Sequence, residues 1–243
     1  MNVITHARTQ DAVSGLRDAA TVFIVDGDAA MREALRSLVR AAGWQASTAA
    51  SAEEFLAPPR GVDPCCVLVE QHLPGSSGFD LQDLLCDRAD LPFIFMSGRA
   101  DVEGTVRAMK AGALEFLPKP FDDHVLLCAI DDAIERSRAT LRESARIREL
   151  EDRYERLSRR EREVMGRVVV GRLNKQIGDD LGISEITVKA HRGQVMRKMK
   201  APSLAELVRM ASRLRASAPR DWPDASTSHP RAGARLPQKA CAA

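Results

Sequence analysis

Short apolar runs alternate with helical patterns through residues 21–128. The runs typical of strands are VFIVDGD (22–28), WQAST (44–48), VLVE (67–70), FIFMSG (93–98) and EFL (115–117). Between them apolar residues recur at helical spacing, as in residues 29–42, where Gly43 ends the pattern. Strands that alternate with helices pair in parallel through crossovers, and strands covered on both faces read as continuous apolar runs. The pattern predicts an α/β doubly wound domain with a parallel five-stranded sheet.

The second half of the chain shows only helical patterns. Residues 122–157 are charged, contain no Gly or Pro and carry an intermittent apolar stripe, which predicts a long helical linker. Because the spacing of the stripe drifts, a solvated single helix and a helix that pairs with a second chain both stay open. Residues 157–214 predict an all-α domain of four helices, with capping boxes at Ser158 and Ser203. A tight turn at Gly182 makes the second and third of these a helix-turn-helix.

The two ends of the chain carry no periodic pattern. We expect a flexible N-terminal arm over residues 1–20 and a disordered tail over 215–243, with domains over 21–128 and 157–214 and a helical linker over 129–156. No apolar run approaches the roughly 18 residues of a membrane helix. Residues 1–20 lack the apolar segment of a signal peptide. The expected location is cytoplasmic, with no membrane partner.

Charge distinguishes the two predicted domains. Residues 21–121 hold nine Lys or Arg and fourteen Asp or Glu, a net charge of −5, whereas residues 158–215 hold fourteen and six, a net charge of +8. A basic domain that contains a helix-turn-helix pattern predicts binding to a polyanion, double-stranded DNA above all.

Polar side chains follow the predicted strands of the first domain at their carboxyl ends, where doubly wound sheets bind ligands. They comprise three carboxylates, a hydroxyl and an ammonium group, with one glycine among them: Asp26, Gly27, Asp28, Glu70, Ser97 and Lys119. An acidic residue at the end of a buried strand is costly unless something uses it. The sequence therefore predicts one charged crevice at this edge of the sheet.

These residues, together with MKAGA (109–113) and PKPF (118–121), resemble the receiver domain of bacterial response regulators, a flavodoxin-like fold. In that family an acidic pair helps to hold Mg²⁺, an aspartate takes a phosphoryl group, and a Ser or Thr and a Lys contact that group. The matching positions are, in the same order, Asp26 with Gly27, Glu70, Ser97 and Lys119. The resemblance also implies a switch aromatic at Phe116 and a cis peptide bond before Pro120.

Two positions depart from the family pattern, and both affect the phosphoryl chemistry. Gly27 replaces an Mg²⁺-binding acid, which leaves Asp26 and Glu70 as a remnant metal site with weak or absent Mg²⁺ binding, since Asp28 is expected to point away. Glu70 replaces the phosphorylated aspartate, and its extra methylene displaces the carboxylate by roughly 1.5 Å. We interpret Glu70 either as a fixed stand-in for a phosphorylated aspartate or as the mark of a disabled switch. A pair with Lys119 is compatible with both.

The second domain closely resembles the LuxR-type DNA-binding domain of NarL/FixJ response regulators, through LSRREREV (157–164), NKQI (174–177), LGISEITVKAHR (181–192) and MRKM (196–199). The resemblance places residues 187–192 in the major groove and makes 203–214 a dimerisation helix. The DNA-binding residues that it implies are Asn174, Lys175, Thr187, Val188, Lys189, His191 and Arg192. Lys189 can reach a guanine edge, whereas a packing or phosphate role is favoured for His191.

These features predict a sequence-specific transcription regulator that binds DNA as a homodimer and is not an enzyme. A sensor histidine kinase is the partner that the receiver resemblance implies, but Gly27 and Glu70 favour activity without phosphorylation. The alternatives are a conventional kinase-controlled response regulator, a phosphotransfer or hydrolase enzyme in the receiver crevice, and a protein-interaction adaptor. The lost Mg²⁺ ligand weighs against the enzyme, and the intact recognition helix weighs against the adaptor.

Overall fold

The computed structural model describes residues 20–57, 63–98 and 102–217. The chain divides into two compact units, with the boundary between Ser144 and Ala145, and these are called here the first and second units. The predicted N-terminal arm, apart from Ala20, and the predicted tail beyond residue 217 lie outside the described residues. Within the described ranges, no helix combines the length and the apolar character that crossing a membrane requires.

A parallel five-stranded sheet in the order β2-β1-β3-β4-β5 forms the centre of the first unit. The strands are β1 (Thr21–Val25), β2 (Gln45–Ala49), β3 (Cys65–Glu70), β4 (Phe93–Ser97) and β5 (Glu115–Pro118). The helices are α1 (Ala29–Ala41), α2 (Ala52–Leu56), α3 (Gly78–Leu84), α4 (Val102–Lys110) and α5 (Asp123–Glu155). The predicted doubly wound fold is confirmed. Its strand order reverses beside β1 and β3, whose carboxyl ends therefore border the ligand crevice of such sheets.

Two hydrophobic cores cover the two faces of this sheet, because successive strand side chains point to opposite faces. One core joins strand residues to α1 and α5, and its largest fully buried members are Ile24, Leu68, Ile94, Met96, Leu126, Ile130 and Ile134. The other core is aromatic and includes Phe55, Phe79, Phe93, Phe95 and Phe116. The strands read as continuous apolar runs because both faces are buried.

Helix α5 runs unbroken through 33 residues and contributes to the cores of both units. Ile130 and Ile134 are fully buried in the first core, so this core extends beyond residue 128, where the first domain was predicted to end. Leu150 is buried in the core of the second unit. The stretch predicted as a separate linker over 129–156 is therefore part of two folded units.

Ser137, which interrupts the apolar stripe of α5, is itself completely buried. Its hydroxyl donates to the backbone oxygen of Asp90 at 2.6 Å and accepts from the backbone N–H of Cys65 at 3.1 Å. Buried backbone groups need such partners. The serine thus satisfies two backbone groups and attaches α5 to β3 and to the segment before β4.

The second unit contains the end of α5 and four further helices, α6 (Arg159–Val168), α7 (Asn174–Leu181), α8 (Glu185–Met199) and α9 (Leu204–Ser217). Ser158 and Glu161 form the predicted capping box of α6. Gly182 has a φ of 65°, a left-handed conformation that glycine adopts easily, and it ends α7 two residues before the Ser184 cap of α8. The predicted helix-turn-helix is therefore formed by α7 and α8.

Candidate functional site

Four strand ends assemble a charged pocket in the first unit. The Lys119 Nζ lies 2.8 Å from Asp26 Oδ2 and also donates to Glu70 Oε2. The exposed fractions of these side chains are 17% for Lys119, 3% for Asp26 and 13% for Glu70. Ser97 is fully buried at the end of β4, and its backbone oxygen accepts from the Lys119 N–H at 2.8 Å. The structure thus brings four of the six predicted pocket residues to one edge of the sheet.

The Lys119 ammonium is the electrostatic centre of this pocket. Burial alone lowers the pKa of a lysine, but the hydrogen bonds and negative charges of Asp26 and Glu70 outweigh it, and the pKa of Lys119 is raised. Asp26 is held from two further sides. Its Oδ1 accepts from the Asp28 N–H at 2.8 Å, and Arg32 donates to its backbone oxygen at 2.6 Å. Sequence reasoning missed Arg32, which carries no motif signal.

The structure corrects the assignment of Asp28 to the pocket. Asp28 is exposed and is the N-cap of α1, where its Oδ1 accepts from the N–H groups of Ala30 at 2.9 Å and Met31 at 3.4 Å. A side-chain oxygen at this position satisfies N–H groups that have no partner within the helix. The expectation that Asp28 does not replace the missing acid agrees with this geometry, and the reason is local capping.

Gly27 is exposed and faces the ring of Pro74. A Cβ at position 27 would lie 3.0 Å from both Cγ and Cδ of that ring, which is a tight contact. Gly27 itself offers no side-chain ligand. A larger residue here would require Pro74 to shift by a few tenths of an ångström.

The donor set of the pocket does not fit Mg²⁺ well. This ion demands near-octahedral oxygen ligation, usually with one or two carboxylates. The two carboxylates that reach the pocket, Asp26 and Glu70, are both bound to the Lys119 ammonium. A divalent cation would have to compete with the half-buried positive charge of Lys119 for these oxygens.

Phe116, the predicted switch aromatic, packs inward from β5. Its exposed fraction is 8%, and its ring centroid lies 6.2 Å from that of Phe95 with the two planes 14° apart. Phe95 in turn stacks on Phe79 at 5.1 Å. The ring of Phe116 therefore belongs to the aromatic core. The peptide bond between Lys119 and Pro120 is cis, as the resemblance implied.

In the second unit, α8 anchors one face in the core and leaves the rest exposed. Val188, Val195 and Met199 form the buried face, with at most 1% of each exposed. The prediction that Val188 contacts DNA is wrong for its side chain, because this side chain is completely buried in the core of the second unit. The spacing of these three apolar residues is helical, and this signal could have revealed the role of Val188.

The other predicted DNA-binding residues lie on or beside the exposed part of α7 and α8. Lys175 is exposed, and Lys189 is 62% exposed and pairs with Glu185 at 3.1 Å. Asn174 Oδ1 accepts from Arg192 Nη1 at 3.1 Å, which joins the first residue of α7 to α8. The remaining two, Thr187 and His191, are half-buried. The structure thus groups six of the seven predicted residues around the start of the two helices and the middle of α8.

A partly buried ion pair between α6 and α8 was not anticipated from the sequence. Lys198 Nζ lies 2.6 Å from Glu161 Oε2, which also accepts from the Ser158 N–H at 2.6 Å. Burial raises the pKa of Glu161, but the hydrogen bonds from Lys198 and Ser158 outweigh burial, and the pKa is lowered. The capping-box spacing indicated the local partner of Glu161, while the partner 37 residues away has no sequence signature.

Known proteins share both units. Residues 22–131 match the response regulator receiver domain family, and residues 155–211 match the luxR family of bacterial regulatory proteins. The chain is 43% identical to nodulation protein W of Bradyrhizobium diazoefficiens over 82% of this chain and 88% of that protein. It is 40% identical to the transcriptional regulatory protein FixJ of Azorhizobium caulinodans over 80% and 92%.

The fold comparison agrees with these relationships. The solved structure of the response regulator StyR superposes with a TM-score of 0.71 at 39% identity, covering 80% of this chain and 98% of that one. The chain therefore belongs to the two-component response regulators that combine a receiver domain with a LuxR-type DNA-binding domain. It is a DNA-binding protein of transcription regulation.

Proposed function

We propose that this regulator binds its DNA sites without phosphorylation at position 70, and that the Glu70 carboxylate stands in for a phosphoryl group. The observation that carries the proposal is the network in which Lys119 contacts Asp26 and Glu70 together. By family resemblance this lysine contacts the phosphoryl group. In this chain a permanent carboxylate supplies the negative charge at the same partner, and the buried Phe116 is compatible with a single fixed arrangement.

Phosphoryl transfer to Glu70 is disfavoured on two counts. Catalysis of this reaction depends on positioning and on metal ions that neutralise the developing charge, and a displacement of about 1 Å can cost ~10²-fold in rate. Gly27 removes a metal ligand, and one of the two Glu70 carboxylate oxygens accepts from Lys119. The same two losses disfavour an enzyme in this crevice.

On the DNA side, we propose that the exposed start of α8 enters the major groove of a two-fold site occupied by a homodimer. Lys189 and Thr187 face the bases, while Asn174 and Lys175 at the start of α7 hold phosphates. The net charge of +8 over residues 158–215 supports this assignment. A sensor histidine kinase is a partner of the family that this proposal does not require.

Restoring the two lost residues tests the phosphorylation claim. The wild type and Glu70→Asp should gain no phosphoryl mass from acetyl phosphate and Mg²⁺. Gly27→Asp with Glu70→Asp should become phosphorylated, and its DNA affinity should then rise on phosphorylation. Gly27→Ala with Glu70→Asp is the matched control, because it adds the Cβ that meets Pro74 but no carboxylate. A wild-type adduct mapped to Glu70 by mass spectrometry would contradict the proposal.

Removing the charge of Glu70 tests the stand-in claim separately. Glu70→Gln keeps the size of the side chain and the Lys119–Asp26 pair but removes the second negative charge. We expect its DNA affinity, measured by fluorescence anisotropy, to fall below that of the wild type. Unchanged affinity would mean that Glu70 has only a structural role, in a receiver domain that no longer switches.

A further inference from the structure

The first turn of α8 carries a large apolar side chain that is not part of the core of the second unit. Ile186 is 79% exposed, although isoleucine is among the residues most often buried. Its position is fixed, because Ser184 caps the helix by accepting from the Thr187 N–H at 3.1 Å. Ile186 is therefore held in place on a regular helix.

The direction of Ile186 follows from the buried face of α8. Val188 is fully buried, and an α-helix turns by about 100° per residue, so Ile186 faces almost directly away from the core. The same outward side carries Lys189, Ala190 and Gly193, all exposed. A Cβ built on Gly193 would meet no atom within 4 Å. The outward face thus combines one large apolar side chain with one basic residue and two small residues.

This combination of side chains indicates which kind of molecule the outward face of α8 can bind. Lys189 and the net charge of +8 over residues 158–215 attract a polyanion, and an apolar side chain beside Lys189 requires a polyanion that also offers an apolar group. The major groove of DNA does so through the C5 methyl group of thymine. Small residues such as Ala190 and Gly193 allow the helix backbone to approach base edges, and residues at the N-terminal end of a recognition helix are the ones that reach them.

We propose that Ile186 determines sequence specificity by packing against the C5 methyl group of a thymine in each half-site. The inference rests on the proposed function, since it needs α8 in the major groove. It adds to the residues implied by the family pattern one that the pattern does not assign.

The test uses the full chain and DNA sites that it selects from a random pool. Each thymine of a half-site is replaced singly by deoxyuridine, which lacks only the C5 methyl group. At one position per half-site, the affinity of the wild type should fall about fourfold, which corresponds to the free energy of burying one methyl group. Ile186→Ala should bind the thymine and deoxyuridine probes at that position equally.

Leu173→Ala is the matched control. Leu173 is 67% exposed and precedes α7, so its removal deletes a similar side chain outside α8. This variant should keep the wild-type loss on deoxyuridine. Circular dichroism melting should show both variants folded, because both side chains are exposed.

Four results would overturn the inference. One is a loss of affinity on deoxyuridine that persists in Ile186→Ala, and another is the absence of this loss in the wild type. Both would contradict the role of Ile186 without contradicting the proposed DNA binding. Normal DNA binding with lost transcription activation in Ile186→Ala would assign the residue to a protein partner. Failure of the wild type to select any sequence would overturn the proposed function and the inference together.

Discussion

Replacing Lys119 by methionine is expected to lower the free energy of unfolding of the receiver domain by about 3 to 5 kcal/mol, the usual cost of removing one partner from a buried ion pair. The ammonium bonds to Asp26, which is 3% exposed, and to Glu70, which is 13% exposed. Methionine has similar length but no charge. Its introduction leaves two carboxylates facing one another in a site with little water.

Glu70→Gln is expected to have opposite effects on stability in the wild type and in Lys119→Met. In the wild type this change removes a charge-assisted hydrogen bond and should destabilise by about 1.5 kcal/mol. In Lys119→Met it removes one of two repelling carboxylates. At a separation of about 5 Å and an effective dielectric constant of about 20, this repulsion is about 3 kcal/mol. Glu70→Gln should therefore stabilise the Lys119→Met protein, so that the sign of its effect reverses.

Urea unfolding followed by tryptophan fluorescence measures these changes. Trp44 is 4% exposed in the core of the first unit and reports its unfolding, and a Trp222→Phe background removes the second tryptophan. All four proteins of the cycle share this background. Equal destabilisation by Glu70→Gln with and without Lys119 would refute the pairing of Glu70 and Lys119 in solution.

Four further substitutions test the packing and electrostatics of both units. Ser137→Ala removes the hydroxyl that bonds the Cys65 N–H and the Asp90 backbone oxygen, and should cost about 1 to 3 kcal/mol in urea unfolding. Gly193→Ala should stabilise the second unit by up to about 1 kcal/mol, whereas Gly178→Ala should destabilise it, because its Cβ would lie 2.7 Å from the Ile183 carbonyl oxygen. Because the pKa of Glu161 is lower in the folded state, its ionised carboxylate stabilises this state at pH values above the ordinary pKa of 4.5. This stabilisation is lost as the pH falls through the lower pKa of the folded state. Acid titration of thermal stability should therefore show a smaller loss in Glu161→Gln than in the wild type.

The sheet was predictable because burial on both faces leaves long apolar runs at each strand. The same apolar runs indicate parallel strands, and parallel strands bring their carboxyl ends to one edge of the sheet. The pocket was therefore predictable as well. This reasoning correctly gathered Asp26, Glu70, Ser97 and Lys119. It expected Asp28 to point away but did not identify its role as the N-cap of α1, because a carboxylate just past a strand serves equally well as a ligand or as the cap of the next helix.

Contacts between distant residues were beyond the sequence patterns. Ser137 looks like a break in an apolar stripe, and only the fold reveals the backbone groups of Cys65 and Asp90 that it satisfies. The pair of Lys198 with Glu161 is hidden in the same way, since each residue also suits a solvated helix surface. Periodicity identifies the buried face of a helix, but the partners of a polar side chain depend on the tertiary structure.

The most direct test of the central claim measures DNA binding and phosphorylation on the same sample. The wild-type protein is prepared without a phosphoryl donor, and its Kd for a selected site is measured before and after incubation with acetyl phosphate and Mg²⁺. Intact-mass spectrometry of each sample follows. We predict specific binding from the outset, with an unchanged Kd and no added phosphoryl mass. A phosphorylated protein that binds only, or much more tightly, after treatment would contradict the account.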